Sequence, residues 1–241
     1  EVPAQAATAR HGRWTRTPGR ALLRAVTGAL GPVQIIAEDL GAVTPQALAL
    51  RDEFGFPGMR VLQFAFGDDG PGSRYHQPHS YPRNCAVYPG THDNETAVGW
   101  FTNLRAAAKK KARRQSGRRV ADTPYERVLR YTGTSGGDIN WDLIRIASMS
   151  VADLAIVPVQ DILGLGSEAR MNTPGTSSGN WRWRLKPGQI KAEPMSRLSP
   201  LASARMAAPG RRPSSATSCQ YLWATRSIEL FPVGRMPMPA V

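Results

Sequence analysis

Cysteine and histidine are scarce in this 241-residue sequence, and long apolar runs are missing from it. The two cysteines, Cys85 and Cys219, lie far apart in unlike contexts, which argues against a disulfide framework or a Cys-x-x-Cys metal site and favours a reducing cytoplasm. The four histidines form neither an HxH nor an HExxH pattern, so no metal and no cofactor is expected. No stretch reaches the roughly 18 apolar residues of a membrane span, so no membrane partner is expected.

Acidic residues are also few: 18 of them face 31 Lys and Arg, giving a formal net charge of +13. This excess raises the hypothesis of a basic nucleic-acid-binding protein. However, the densest basic cluster has no interleaved aromatic residues and matches no nucleic-acid module. We therefore favour a solvated helix and loop, and expect no nucleic-acid partner. The cluster consists of Lys109, Lys110, Lys111, Arg113, Arg114, Arg118 and Arg119.

Four short apolar segments, rich in Val and Ile, have the pattern of buried parallel strands. They are residues 33–37, 60–66, 85–88 and 154–159. Helix patterns lie between or beside them, at about 22–26, 45–54, 124–131 and 140–151. This alternation predicts an α/β fold with parallel strands, and the absence of a Rossmann glycine fingerprint favours a barrel over a doubly wound sheet.

The composition changes near residue 190. Residues 1–189 carry the strand and helix patterns, whereas Pro, Ser, Ala and Arg dominate residues 191–241 with little periodicity. The second segment is therefore predicted to be a poorly ordered tail. Its composition resembles an out-of-frame reading of a GC-rich gene, and restoring the frame near Lys191 should then give a helical ending.

Acidic side chains follow two of the predicted strands. Glu38 and Asp39 come after residues 33–37, and His92 and Asp93 come after residues 85–88. Each group has a plain structural alternative, as a helix cap or a turn. In a β/α barrel, however, the strands end at one mouth where active sites gather, so the two groups are predicted to converge. Two carboxylates around a cleft are the minimum apparatus for chemistry at a glycosidic bond.

Three longer segments resemble the hallmark blocks of one family. They are IIAEDLGAVTPQALALRDEFGFPGMRVLQFAFG, YPGTHDNETAVGW and VADLAIVPVQDILGLGSEARMNTPGTSSGNWRWRL. In this order they resemble the amylomaltases, or 4-α-glucanotransferases, of glycoside hydrolase family 77. The resemblance covers residues 1 to about 189. It implies a (β/α)8 TIM barrel, of which this chain would supply about the C-terminal half, strands 5 to 8.

The resemblance also implies an activity, the retaining transfer of α-1,4-glucan segments from a glucan donor to a glucose or glucan acceptor. It implies that Glu38 is the acid/base and that Asp93 is a carboxylate that holds substrate hydroxyls. Asp39, His92 and Asn172 would contact substrate. Phe64 would be an apolar platform.

Structural alternatives stay open for several of these side chains. Phe64 also fits plain core packing, and Asn172 also fits a turn in Asn-Thr-Pro-Gly. Trp181 and Trp183 alternate with arginines on an extended segment. We expect both indoles to pack against the protein rather than to stack on sugars.

The family's nucleophile, an Asp in an Arg-x-Asp-His context, has no counterpart in this sequence. The resemblance therefore predicts a chain that begins between strands four and five, and that is inactive alone. A half barrel would expose unpaired strand edges and would tend to aggregate. A non-catalytic maltodextrin-binding module is the alternative in the binding class.

Overall fold

The structure is a computed structural model, and it describes residues 1–8, 10, 12–31, 33–68, 71–114 and 122–206. The chain divides into two compact units, Glu1–Gly58 and Met59–Val241. Part of the basic cluster and most of the predicted tail lie outside the described residues. These are Arg118, Arg119 and residues 207–241, which include Cys219.

Among its described residues the first unit contains two helices, α1 (Gly19–Leu30) and α2 (Pro45–Glu53). The predicted start of α2 is confirmed, because the Thr44 side chain accepts a hydrogen bond from the Ala47 N–H and Pro45 occupies the first helical turn. Arg20 donates two-pronged hydrogen bonds to Glu53, at 2.6–2.8 Å, and so links α1 to α2.

The strand predicted at residues 33–37 is wrong in extent. Only Ala37 pairs, in an isolated parallel bridge with Gly58, and its N–H donates to the Pro57 carbonyl at 2.9 Å. The facing segment cannot continue a ladder, because Pro57 has no N–H and Gly55 adopts a left-handed conformation with φ 67°.

The second unit has three strands among its described residues, β1 (Gly58–Val61, which starts at the unit boundary), β2 (Cys85–Tyr88) and β3 (Leu154–Ala155). They form a sheet in the order β1-β2-β3, and β2 runs parallel to β3 with Ala86 opposite Leu154. The helices are α3 (Pro71–Tyr75), α4 (Ala97–Arg114), α5 (Pro124–Thr132), α6 (Ile139–Met149), α7 (Val159–Ile162) and α8 (Ala192–Met206).

Two strand predictions need correction here, whereas β2 matches its predicted range. The chain leaves β1 after Val61 and forms a 3₁₀ helix over Leu62–Phe66, in which four residues are buried and Phe64 is exposed. The buried residues recur three positions apart, as expected for a 3₁₀ helix. In the sequence, the same short apolar run has the pattern of a buried strand. β3 stops at Ala155, and after Pro158 the chain begins α7, since proline cannot donate to a ladder.

Three predicted helices are present. α5 begins with a reciprocal capping box between Thr123 and Glu126 and ends at Gly133, whose φ of 67° only glycine adopts without strain. α6 buries Trp141 and Ile144 but ends at Met149, so the predicted end at residue 151 is too late and Val151 is 50% exposed. α4 carries the basic cluster as an exposed helix end, as predicted, up to Arg114.

The prediction of a poorly ordered tail does not hold for Ala192–Met206, which form α8. Leu198 on α8 is 3% exposed and packs in a cluster with Trp141 and Ile144. The Arg197 guanidinium lies 4.2 Å from the centre of the Trp141 ring. These tertiary contacts stabilise a helix that the composition did not indicate.

The main core lies between the sheet and helices α4, α5 and α6. Its members are buried aliphatic and aromatic side chains, each of which contributes about 1.5–3 kcal/mol when fully buried. They include Leu62, Val87, Phe101, Val128 and Leu143.

The carboxyl group of Asp161 is almost completely buried. Asp161, in α7, is 1% exposed; its Oδ1 accepts a hydrogen bond from the Ala97 N–H at 2.7 Å, at the start of α4. Its backbone carbonyl accepts a hydrogen bond from Asn140. Its Oδ2 has no hydrogen-bond partner among the described residues. Burial raises the pKa of Asp161 to about 7.

This burial gives a pH dependence with a definite sign. The folded chain holds the proton of Asp161 up to about pH 7, whereas the unfolded chain loses it near pH 4, so the free energy of unfolding falls as pH rises between those values. The expected loss from this group is on the order of 4 kcal/mol. Asp161→Asn keeps an oxygen for the Ala97 N–H but cannot ionise, so its urea unfolding should lack this decline. Equal pH slopes for Asp161→Asn and an Asp153→Asn control would contradict the assignment.

Candidate active site

The loop that follows β2 carries the first group of candidate residues. Its conformation is fixed locally, because the Asn94 side-chain oxygen accepts hydrogen bonds from both the N–H and the hydroxyl of Thr91, at 2.9 and 2.8 Å. The Thr91 hydroxyl in turn accepts from the Asp93 N–H. His92 and Asp93 therefore sit at the tip of a closed turn, and each side chain is about half exposed.

A buried glutamine from the 3₁₀ helix anchors this loop at both ends. Gln63 donates from its N–H to the Pro89 carbonyl at 3.2 Å and from its side-chain amide to the Glu95 carbonyl at 2.8 Å. The amide lies so close to Gly90 that a Cβ there would be 2.5 Å from it. A larger residue at position 90 would therefore displace the Gln63 amide from its contact with Glu95. Sequence reasoning missed Gln63, because its role depends on residues about thirty positions away.

Three predicted site residues meet at the tip of this loop. The Asn172 side-chain amide donates to Asp93 Oδ1 at 2.6 Å, and the Asn172 N–H donates to the His92 carbonyl at 3.1 Å. The His92 Nε2 lies 3.3 Å from the same Asp93 oxygen. Both of these contacts to the carboxylate involve Oδ1, which leaves Oδ2 available to a ligand. The structure thus brings His92, Asp93 and Asn172 together.

Arg170 links the loop that follows β2 to the segment that contains Asn172. Its guanidinium donates to the Asp93 carbonyl at 2.8 Å and to the Asn172 carbonyl at 2.8 Å, and it lies 3.5 Å from the Glu95 carboxylate. One planar cation therefore holds both backbones in register. Arg170 was not predicted as a site residue, although it lies only two positions before Asn172 in the sequence.

The segment from Met171 to Trp181 forms a closed loop beside this cluster. The Trp181 N–H donates to the Met171 carbonyl at 2.6 Å, and the Asn180 side chain accepts from the Thr173 N–H at 2.9 Å. The Trp181 and His92 rings lie 5.1 Å apart with a tilt of 36°. The sequence predicted that the Trp181 indole packs against the protein. This prediction is wrong, because Trp181 is 45% exposed.

Phe64 lies on the exposed side of the 3₁₀ helix, with 37% of its surface accessible. Among the described ring pairs it contacts His76 edge-on at 5.3 Å, and it makes no ring pair with His92. Its exposure argues against plain core packing. Its assignment as a sugar platform stays a prediction.

Glu38 and Asp39 lie in the first unit, directly after the bridge residue Ala37. Glu38 is exposed. Asp39 is 7% exposed and forms a close ion pair with Arg51 of α2. A Cβ on Gly58 would overlap this pair, so a larger residue there would force the two side chains to shift. The Arg51 pair gives Asp39 a structural role in the first unit, and its assignment as a sugar contact stays a prediction.

None of the helices in the described part of the chain has the length and hydropathy of a membrane-spanning segment.

Comparison with known proteins adds the family. A family model described as 4-alpha-glucanotransferase matches residues 1–191. The chain is 45% identical over 214 residues to the 4-alpha-glucanotransferase of Thermus thermophilus, which covers 85% of this chain and 39% of the relative. It is 47% identical over 192 residues to the Synechocystis 4-alpha-glucanotransferase, covering 78% of this chain and 34% of the relative.

A relative from Arabidopsis thaliana, named 4-alpha-glucanotransferase DPE1, chloroplastic/amyloplastic, is 45% identical over 185 residues, which cover 76% of this chain and 29% of the relative. Among solved structures, an amylomaltase from Streptococcus agalactiae in complex with acarbose matches with a TM-score of 0.68 and 31% identity, over 84% of this chain and 38% of that one. The chain thus spans well under half the length of these relatives. It belongs to the 4-α-glucanotransferase family, glycoside hydrolase family 77.

Proposed function

We propose that this chain supplies part of the active site of a 4-α-glucanotransferase, which transfers α-1,4-glucan segments from a donor chain to glucose or a glucan acceptor. The observation that carries the proposal is the cluster of Asp93, His92 and Asn172, whose carboxylate, imidazole and amide are held together at the end of β2. Such a set of donors and acceptors suits the hydroxyl groups of a sugar ring.

In the proposed mechanism, Glu38 protonates the departing glycosidic oxygen and later removes the proton from the acceptor hydroxyl. Asp93 accepts hydrogen bonds from substrate hydroxyls and stabilises positive charge that develops on the sugar in the transition state. Its Oδ1 is fixed by Asn172, so the carboxylate needs little rearrangement when substrate binds. His92 and Asn172 contribute further hydrogen bonds.

The nucleophile of this double displacement would come from residues outside this chain, since the 241 residues contain no Arg-x-Asp-His motif. The proposed architecture is a (β/α)8 barrel, of which β1, β2 and β3 are part. The parallel pairing of β2 with β3 and the helices between them support it. The chain alone would then bind glucan without transferring it.

A cytoplasmic location is also proposed. The buried free thiol of Cys85 fits a reducing compartment. No nucleic-acid or membrane partner is part of the proposal.

Glucose release and chain redistribution from maltotriose test the proposed function. The 241-residue chain alone should release no glucose. A graft, in which residues 1–191 replace the matching segment of the Thermus thermophilus relative, should release glucose and form longer maltodextrins. A folded graft that transfers nothing would contradict the function, and transfer by the chain alone would contradict the missing nucleophile.

A further inference from the structure

Trp181 has an unusual backbone conformation and a side chain that is nearly half exposed. Its φ is 61°, and it is the one non-glycine residue with positive φ among the described residues. A bulky side chain in this conformation is strained, and such strain persists only where the surroundings impose it. Strained residues of this kind concentrate at functional sites.

The surrounding loop imposes this conformation through specific hydrogen bonds. The Trp181 N–H is bound to the Met171 carbonyl at 2.6 Å. The preceding residue, Asn180, accepts from the Thr173 N–H and donates to the carbonyl and hydroxyl of Thr176. The loop thus holds the indole in one place at the cost of backbone strain.

The place in which it holds the indole is the edge of the Asp93 cluster. The Trp181 ring lies 5.1 Å from the His92 ring, yet the residue keeps 45% of its surface exposed. A side chain that only supported His92 would gain more by burying that surface. The exposed indole instead offers a flat apolar face beside hydrogen-bonding groups.

That combination matches the chemistry of a pyranose. A glucose unit has apolar C–H faces and a rim of hydroxyl groups, so it needs a flat aromatic surface next to polar side chains. Asp93, His92 and Asn172 supply the polar side chains.

We propose that Trp181 is a substrate-contacting residue whose indole stacks on a glucose unit of the α-1,4-glucan bound at the Asp93 cluster. The inference rests on the proposed function, and it names a contact within that site. Trp181 would set affinity for the glucan, and it would take no part in proton transfer.

Binding of maltoheptaose to the 241-residue chain, followed by NMR and calorimetry, tests this contact. Trp181→Ala should weaken binding about tenfold or more. Trp181→Phe, which keeps a flat ring, should bind within about threefold of the unchanged chain. Trp181→Leu, which keeps apolar bulk without a flat face, should bind as poorly as Trp181→Ala. Trp14→Ala is the matched control, since Trp14 is 78% exposed in the other unit.

Nuclear Overhauser effects from glucosyl C–H protons to indole resonances that disappear in Trp181→Phe would support direct stacking, which a purely structural role does not produce. No binding by the unchanged chain, equal binding by Trp181→Ala, or full affinity in Trp181→Leu would each overturn the contact. The proposed function is measured separately, as transfer by the graft. If the graft transfers glucan while Trp181→Ala binds maltoheptaose as tightly as the unchanged chain, the Trp181 contact is wrong and the proposed function still holds.

Discussion

Glu38→Gln in the graft is expected to lower kcat for maltotriose disproportionation by about 10²–10⁴, the usual contribution of a general acid or base. Glutamine keeps the size and hydrogen-bonding reach of the side chain but cannot deliver or accept the proton. Glu38 is exposed and directly follows the bridge residue Ala37. Initial rates of glucose release give kcat and KM, and kcat should carry the loss.

The matched control for this change is Glu53→Gln in the same unit. Glu53 is an exposed residue that pairs with Arg20 at the surface, where solvent screens the interaction. The control should retain nearly full activity. Near-normal transfer by Glu38→Gln would remove Glu38 from the mechanism.

Asp93→Asn in the graft is expected to lower kcat by about 10²–10³, as loss of one well-placed electrostatic group does. The amide can still offer its oxygen to the Asn172 side chain, so the contact that joins the two loops can persist. What disappears is the negative charge that would stabilise the sugar in the transition state. Measurement of kcat, with circular dichroism as a check on folding, separates lost chemistry from lost structure.

Asp153→Asn is a close control for this second change. It makes the same chemical substitution in the same unit, at a side chain that is 49% exposed where that of Asp93 is 48% exposed. Its nearest cation, on Arg83, is 4.0 Å away. If both variants lose activity equally, a general effect of charge would explain the result and Asp93 would have no special role.

Local signals in the sequence were enough to predict where α2 and α5 begin. Thr44 followed by Pro45, and Thr123 paired with Glu126, satisfy backbone groups within one turn, so each start could be recognised from neighbouring residues. The strand bounds depend instead on partners far along the chain. β2 matched its range, whereas β3 ended early at Ala155 and residues 33–37 paired only through Ala37.

The candidate site divides in the same way. Asp93 and His92 could be proposed from their position after an apolar segment, but Asn172 entered through family resemblance, since no local pattern joins it to a carboxylate 79 positions away. Gln63 and Arg170 were missed because a single polar residue gives no sign of which distant carbonyl it will bind. The exposure of Trp181 depends on a strained backbone angle that alternation along the sequence does not encode.

The proposed function assigns Glu38 and Asp93 to one transfer reaction. The rate of the Glu38→Gln/Asp93→Asn double variant of the graft tests it most directly. Groups that act as a unit give strongly non-additive losses, so the double variant should be within about tenfold of the slower single variant. A double variant slowed by the full product of the two single losses would mean that the residues act independently, and would contradict the claim.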